Sequence, residues 1–303
     1  MSVQTIPQFS SLADALSSVI GSGASIARTA PVSGGDINRA SCLMLKDGSK
    51  VFLKANSRMD IRFFQAESDG LTSIRETGAI RVPQVLALGT DEMLGSFLLL
   101  EWIERASQAQ DYWESFGHRL AALHLADASG LVPGGTYGLA RDNYIGARSQ
   151  INTPCMSWIA FFRDYRLAPQ FRDAGQWFDT AERKRIERLL DHLDNYMEEP
   201  ERPSLLHGDL WSGNFMTGSD GNALLIDPST YVGHAEADLA MTELFGGFDR
   251  RFYDAYREVN PIRPGYERRR ELYNLYHLLN HLNLFGGSYL SSVLRVLKRY
   301  GEE

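Results

Sequence analysis

Apolar residues near the start of the chain fall at Phe9, Leu12, Leu16, Val19 and Ile20. This three-and-four spacing predicts a helix over residues 7–20 that stops at Gly21. The texture then changes. Residues 26–32, 40–45 and 50–55 are short strand-like runs divided by glycine-containing turns, Ser33-Gly34-Gly35-Asp36 and Lys46-Asp47-Gly48. The second has hairpin composition. A helical period returns over residues 60–77, where Phe63, Phe64, Glu67, Leu71 and Ile74 recur. Strands are expected at 82–88 and 96–102, the latter almost wholly apolar and therefore central in its sheet. Beyond residue 103 the pattern is mostly helical. A stripe of Trp113, Phe116, Leu120, Leu123 and His124 marks residues 109–126, and further helices are expected at 156–167, 180–197, 237–244, 250–258, 266–285 and 289–300. Only residues 205–227 interrupt them, loop-rich and strand-like.

The chain thus divides into a strand-rich part, 1–102, and a helix-rich part, 103–303. The expected fold is α+β with two lobes and a cleft between them: an N-terminal antiparallel sheet with one helix, preceded by the N-terminal helix, and a larger, mainly helical C-terminal lobe.

Composition narrows the classes. The 303 residues carry 31 Lys and Arg against 38 Asp and Glu, a formal charge of −7. A nucleic-acid binder has the opposite sign, because its cations neutralise phosphates. Basic clusters at 268–270 and 295–299 fall at helical spacing and read as solvated helix faces. Cys42 and Cys155 share no CxxC spacing and make neither a disulfide scaffold nor a metal site. The N-terminal segment lacks a basic stretch followed by an apolar run, so it is not read as a secretory signal. The longest apolar stretch, 97–100, is far short of the roughly 18 residues of a membrane span. The expectation is a soluble, cytoplasmic chain with no nucleic-acid or membrane partner; the pattern sets no oligomeric state.

The strongest chemical signal is His207-Gly208-Asp209-Leu210-Trp211-Ser212-Gly213-Asn214, followed by Leu224-Leu225-Ile226-Asp227-Pro228. An Asp and an Asn five apart in a loop, then an Asp after a short apolar strand, suit phosphoryl transfer from ATP. Asp209 would accept the proton of the attacking hydroxyl, while Asn214 and Asp227 would hold Mg2+. The spacing is that of a kinase catalytic loop, with Asp-Pro where Asp-Phe-Gly is usual. Such chemistry also needs a strand lysine and a helix glutamate. Lys54 ends the run Val51-Phe52-Leu53-Lys54, and Glu67 follows in the next predicted helix. Gly34 and Gly35, in the turn between the first two strands, would let backbone N–H groups approach phosphate oxygens. Glu101, Trp102 and Ile103 stand where the lobes join, and the Glu101 carbonyl and Ile103 N–H could read an adenine edge. Five such elements in order point to an ATP- and Mg2+-dependent phosphotransferase.

The strings HGDLWSGN, IDPSTYVGHAEADLAM, ELFGGF and LYNLYHLLNHLNLFGGSY, with PVSGGDIN and FFQAESDGL upstream, closely resemble the fructosamine kinases, also called ketosamine-3-kinases. The resemblance runs from about residue 26 to residue 300. It implies a protein-kinase-like fold and ATP-dependent phosphorylation of the sugar 3-hydroxyl in ketoamine adducts, on lysine or other amines of glycated proteins. The phosphate then eliminates and frees the amine; bacterial and plant members are thought to prefer ribulosamines and erythrulosamines. The resemblance also implies that Asp238 braces the catalytic loop. His207 reads as a second brace rather than a proton carrier. Candidates for the ketoamine site are Trp211, Tyr231, His234, Glu236 and His281, with Glu236 available to an adduct's ammonium. His277 and His281 are four apart among leucines and read as core histidines rather than a metal pair. The alternatives are an aminoglycoside, choline or homoserine kinase on the same loop, a non-catalytic binder, and a protein kinase proper. The last is disfavoured by His-Gly-Asp in place of His-Arg-Asp.

Overall fold

The computed structural model describes residues 6–33 and 37–301. Gly34 and Gly35, expected at the phosphates, lie outside the described residues.

The first hundred residues build one six-stranded sheet from β1 (Gln8–Phe9), β2 (Ile26–Pro31), β3 (Arg39–Leu45), β4 (Lys50–Asn56), β5 (Val85–Asp91) and β6 (Gly95–Glu101). Their order is β1-β5-β6-β4-β3-β2. All pairings are antiparallel except that of β1 with β5. The expected helix over 7–20 is therefore shorter. Gln8 and Phe9 join the sheet, and α1 (Leu12–Ile20) begins where Ser11 Oγ accepts the Asp14 N–H at 3.1 Å. Gly89 permits this pairing, since a Cβ there would stand 2.2 Å from the Phe9 carbonyl.

Helices cover both faces of the sheet. On one side α1 packs Ala15 and Leu16 against Leu43, Leu53, Phe97 and Leu99. On the other, α2 (Ile61–Glu76) packs Phe64, Leu71 and Ile74 against Leu88, Leu98 and Leu100. Burial on both faces explains why β6, third in the order, reads as an unbroken apolar run.

The rest is mainly helical: α3 (Tyr112–Leu125), a short hairpin of β7 (Asn143–Ile145) and β8 (Arg148–Gln150), then α4 (Trp158–Phe162). A π-helical turn, Arg163–Leu167, leads into α5 (Ala168–Asp173), and α6 (Thr180–Asp191) follows. Two small two-stranded sheets then pair β9 (Ser204–Leu206) with β12 (Tyr231–Gly233), and β10 (Phe215–Thr217) with β11 (Ala223–Leu225). The chain closes with α7 (Glu236–Leu244), α8 (Arg250–Val259), α9 (Tyr266–Phe285) and α10 (Leu290–Tyr300). Among the described residues no helix is long and apolar enough to cross a membrane. The β7–β8 hairpin and the π turn were not expected: strands of three residues are too short to show a period.

Among the contacts that tie the sheet region to the helical region, three lie beside the future site and involve no charged group. The Leu225 N–H donates to the Arg81 carbonyl at 3.0 Å. The Tyr144 ring of β7 meets Phe63 of α2 edge-on at 4.9 Å. Gly70 of α2 sits so close to the segment after Asp227 that a Cβ would approach Thr230 Oγ1 to 2.8 Å.

Candidate active site

Strand alternation turns Val51, Leu53 and Ala55 toward α1, and Phe52 and Lys54 toward α2. There the buried Lys54 ammonium donates to Glu67 Oε1 at 2.6 Å and to Asp227 Oδ1 at 2.5 Å. Burial would discharge it, but the carboxylates of Asp227 and Glu67 outweigh that and hold its pKa above the usual lysine range. The strand lysine, the helix glutamate and the Asp after the strand thus form one cluster, although Lys54 and Asp227 are 173 residues apart. Asp227 is also the one non-glycine among the described residues with a left-handed backbone, at φ 56°. Such a conformation costs free energy and persists where surrounding packing dictates it. That packing is visible. The Ser229 N–H donates to the His207 carbonyl at 2.9 Å, and Asn143 and Gln150 of the hairpin donate to the carbonyls of Thr230 (2.7 Å) and Ser229 (3.1 Å). Tyr276 OH in turn holds Gln150 at 2.7 Å.

The catalytic loop is braced from beneath. Asp238, buried on α7, accepts the N–H of His207 at 2.7 Å and of Gly208 at 2.9 Å, and faces His124 Nε2 at 3.2 Å. Burial alone would raise its pKa; the donors around it, His124 first, hold it below the ordinary carboxylate range. His207 is neutral, because burial lowers its pKa. Its Nε2–H donates to the Ile226 carbonyl at 2.9 Å and its Nδ1 accepts the Asp209 N–H at 3.3 Å, so it ties the catalytic loop to the strand that leads to Asp227. Gly208 is required at φ +83°, since a Cβ would lie 2.1 Å from the Ser229 carbonyl.

Asn214 Nδ2 donates to the Asp209 carbonyl at 2.8 Å and to Asp209 Oδ2 at 3.0 Å. Its amide oxygen consequently turns away from Asp209 and is free to face a cation. Asp209 is pushed up to about 7 by burial, with Asp227 and Asp238 adding to it against the Asn214 hydrogen bond. A divalent cation and the Lys54 charge suit such a site. The donor set also fits Mg2+: one amide oxygen and one half-exposed carboxylate, with phosphate oxygens and water left to complete the shell. No cluster of three or more His, Cys, Asp or Glu among the described residues could hold a metal without such help.

At the junction of the lobes β6 ends at Glu101. Its carboxylate accepts the Gln84 N–H at 3.0 Å and lies 3.6 Å from Arg81. Trp102 lies 6.3 Å from the Phe52 ring with the Lys50 ammonium 5.8 Å above it, and Ile103 is buried. A nucleotide base between the lobes would meet this strip.

The expected ketoamine residues separate into two sets. Trp211 is 38% exposed and meets Phe245 edge-on at 6.1 Å; Phe245 in turn lies 5.1 Å from His281, which neighbours Tyr289 at 5.0 Å. These rings form one aromatic wall beside the catalytic loop. Gly213 and Gly247 make it possible, since Cβ atoms there would stand 2.4 Å from the Trp211 ring and 2.6 Å from Ser212 Cβ. Tyr231, His234 and Glu236 are elsewhere. Tyr231 is buried beneath the Arg166 guanidinium, 4.0 Å from its ring, and His234 is wedged between Trp158 and Tyr273. Glu236 is 3% exposed with both oxygens taken by Arg269, at 2.7 and 2.8 Å. Buried and neutralised by that guanidinium, the carboxylate presents almost no surface to a ligand ammonium, and the geometry favours a packing role for Glu236.

Sequence reading missed Phe245, which the ELFGGF string contained without marking as a wall. It also missed the amide network of Asn143, Gln150 and Asn152. It took His277 as a core histidine, and His277 is buried; what the reading did not supply is that its Nδ1 lies 4.0 Å from Asp209 Oδ1.

Comparison with known proteins agrees with this geometry. The fructosamine kinase family model matches residues 8–303. A probable ketoamine kinase of Synechocystis sp. is 40% identical over 99% of both chains. A chloroplastic protein-ribulosamine 3-kinase of Oryza sativa subsp. indica is 39% identical over 92% of this chain and 80% of that one. A crystal structure named "putative fructosamine-3-kinase", from Thermobifida fusca, superposes with a TM-score of 0.83 at 32% identity, covering 97% of this chain and 99% of that one. With a lysine–glutamate pair, an Asp-x4-Asn loop and a strained Asp gathered in one cleft of a two-lobed kinase-like fold, the chain belongs to the fructosamine kinase family of ATP-dependent phosphotransferases.

Proposed function

We propose that this enzyme transfers the γ-phosphoryl group of ATP to the sugar 3-hydroxyl of ketoamines, ribulosamines and erythrulosamines before fructosamines, on the lysines of glycated proteins or on free amines. The observation that carries this reading is the convergence of Lys54, Glu67, Asp227, Asp209 and Asn214 beside an aromatic wall, in a chain of the fructosamine kinase family.

Residues 1–102 act as the nucleotide lobe and 103–303 as the catalytic and substrate lobe. Lys54, held by Glu67, anchors the phosphates. Gly34 and Gly35 are assigned to the phosphates on their sequence alone, and the strip Glu101-Trp102-Ile103 receives the base. Asn214 and Asp227 hold Mg2+, which when bound offsets the charge of the transferring group. Asp209 takes the proton of the 3-hydroxyl as that oxygen attacks phosphorus; the new O–P bond forms while the bond to the ADP oxygen breaks. Trp211, Phe245 and His281 pack on the sugar and the alkyl arm, and the secondary ammonium is received by aromatic faces rather than by a carboxylate. The 3-phosphate is then a good leaving group whose elimination frees the amine, a repair suited to the cytoplasm.

The test is ADP release with ATP and Mg2+ against ribulosyl-lysine, fructosyl-lysine, an aminoglycoside, choline and homoserine. Turnover on ribulosyl-lysine that disappears in Asp209→Asn is the expected result. Silence on both ketoamines with turnover on another alcohol would overturn the substrate.

A further inference from the structure

Among the described residues, His277 is a buried polar side chain left without a hydrogen-bond partner at its Nδ1 beside the cluster just described. It is 5% exposed on α9, and its Nδ1 is buried with no hydrogen-bond partner. The groups around it do not relieve this. Tyr276 offers a ring edge at 5.1 Å, and His281 Nδ1 donates to the His277 main-chain carbonyl at 2.8 Å, not to the ring. Burial, with His281 adding to it, lowers its pKa to about 3, so the ring is neutral and carries one N–H. An unmade buried hydrogen bond is costly and calls for a reason.

The reason lies across the gap. Nδ1 is 4.0 Å from Asp209 Oδ1, whereas the other oxygen of that carboxylate, Oδ2, is bound by Asn214. Asp209 therefore stands with one oxygen toward the expected metal ligand and the other toward His277. The separation is too long for a direct hydrogen bond. It suits a shared third atom: an oxygen about 2.8 Å from each completes a triangle with an apex of roughly 90°.

Resting on the reading of Asp209 as the proton acceptor, the geometry points to His277 as a second catalytic residue, whose Nδ1–H donates to the acceptor hydroxyl oxygen while Asp209 Oδ1 accepts that hydroxyl's proton. Two of the three tetrahedral directions around the oxygen are thereby fixed, and its remaining lone pair is aimed at the γ-phosphorus. The imidazole keeps its proton throughout. The O–H bond breaks toward Asp209, the O–P bond forms, and the bond from phosphorus to ADP breaks. The family's alcohol chemistry thus gains a positioning contact from α9, an element that sequence reading assigned to the core.

Leucine and asparagine variants separate this role from a structural one. In His277→Leu a buried polar atom without a partner is replaced by an apolar group of similar shape, a change that leaves stability equal or raises it. In His277→Asn, Nδ2 falls where Nδ1 of histidine was. The expected result is that His277→Leu loses about 10²-fold in kcat. Its midpoint of thermal unfolding is equal to or above the wild-type value, and its affinity for ATP by calorimetry is that of wild type. His277→Asn recovers to within about tenfold of wild type. A leucine variant with near wild-type kcat at saturating acceptor would overturn the proposal. So would an asparagine variant that is folded but as slow as leucine. Should leucine fail to fold, His277→Gln, which carries its N–H one bond further out, replaces it as the slow variant. All variants are scored on whichever alcohol the wild type phosphorylates. Failure of the ketoamine reading then shows as a change of acceptor, and failure of this one as an active His277→Leu; silence of the wild type on every alcohol overturns both.

Discussion

The two walls of the cleft are built on opposite terms. On the side assigned above to the phosphates the charged and amide groups hold one another before any ligand arrives: Lys54 with two carboxylates, Asn214 with Asp209, and Asp238 with two backbone donors and His124. On the acceptor side the groups are aromatic, partly exposed and left open: Trp211, Phe245 and His281, with the unpartnered His277 behind them. The difference follows from the tasks. Phosphoryl transfer stabilises the same charge distribution whatever the acceptor, so fixed dipoles and charges can be arranged in advance. An acceptor surface must give up water to each ligand, and flat apolar rings do so at little cost.

If that contrast is correct, the largest effect follows from breaking the phosphate side without unfolding it. Asp209→Asn should lower kcat by about 10³–10⁴-fold. The unfolding midpoint should be unchanged or raised, because a buried carboxylate with a raised pKa is removed. Near wild-type turnover at saturating acceptor would remove Asp209 from the chemistry.

Next is Lys54→Met, which leaves the buried Glu67 without its cation. A loss of about 3 kcal/mol in stability is expected, together with about 10²-fold in kcat/KM for ATP. Adding Glu67→Gln should restore the midpoint in a melt and leave ATP use defective. Restored activity in the double variant would mean that the pair is only structural.

A smaller effect is expected at the joint between the walls. Gly70→Ala places a Cβ 2.8 Å from Thr230 Oγ1 and should displace α2, and Glu67 with it. A cost of about 1–3 kcal/mol is expected, with kcat falling while KM for the acceptor holds. The smallest effect belongs to the open side. Trp211→Ala should raise KM for the ketoamine about tenfold, some 1.4 kcal/mol, with ATP kinetics unaltered. An equal rise in KM for ATP would show that the two walls are not separate.

Much of the phosphate side was legible because its residues are tied to local chain geometry. Asp209 and Asn214 share one loop, Asp227 ends one strand, and Lys54 and Glu67 sit on adjacent elements 13 residues apart. Gly208 lies in the same loop as Asp209, where a Cβ would stand 2.1 Å from the Ser229 carbonyl. The acceptor side was poorly legible. Glu236 looked like a ligand for an ammonium group until Arg269, 33 residues further on, was seen to occupy both its oxygens. Tyr231 and His234 lie in the same string as Asp227 yet face the packed interior. His277 sits among leucines in the α9 sequence, and only the packing of that helix turns the histidine toward Asp209.

By itself the sequence determined the alternation of strands and helices, the two-part architecture and the reaction class, because periodicity, turn chemistry and motif spacing are local properties of the chain. The tertiary structure decided which polar side chains remain available to a ligand. A carboxylate or imidazole meets a ligand only if it is neither buried nor already neutralised, and whether a partner more than thirty residues away covers and pairs it cannot be read from its neighbours in the chain.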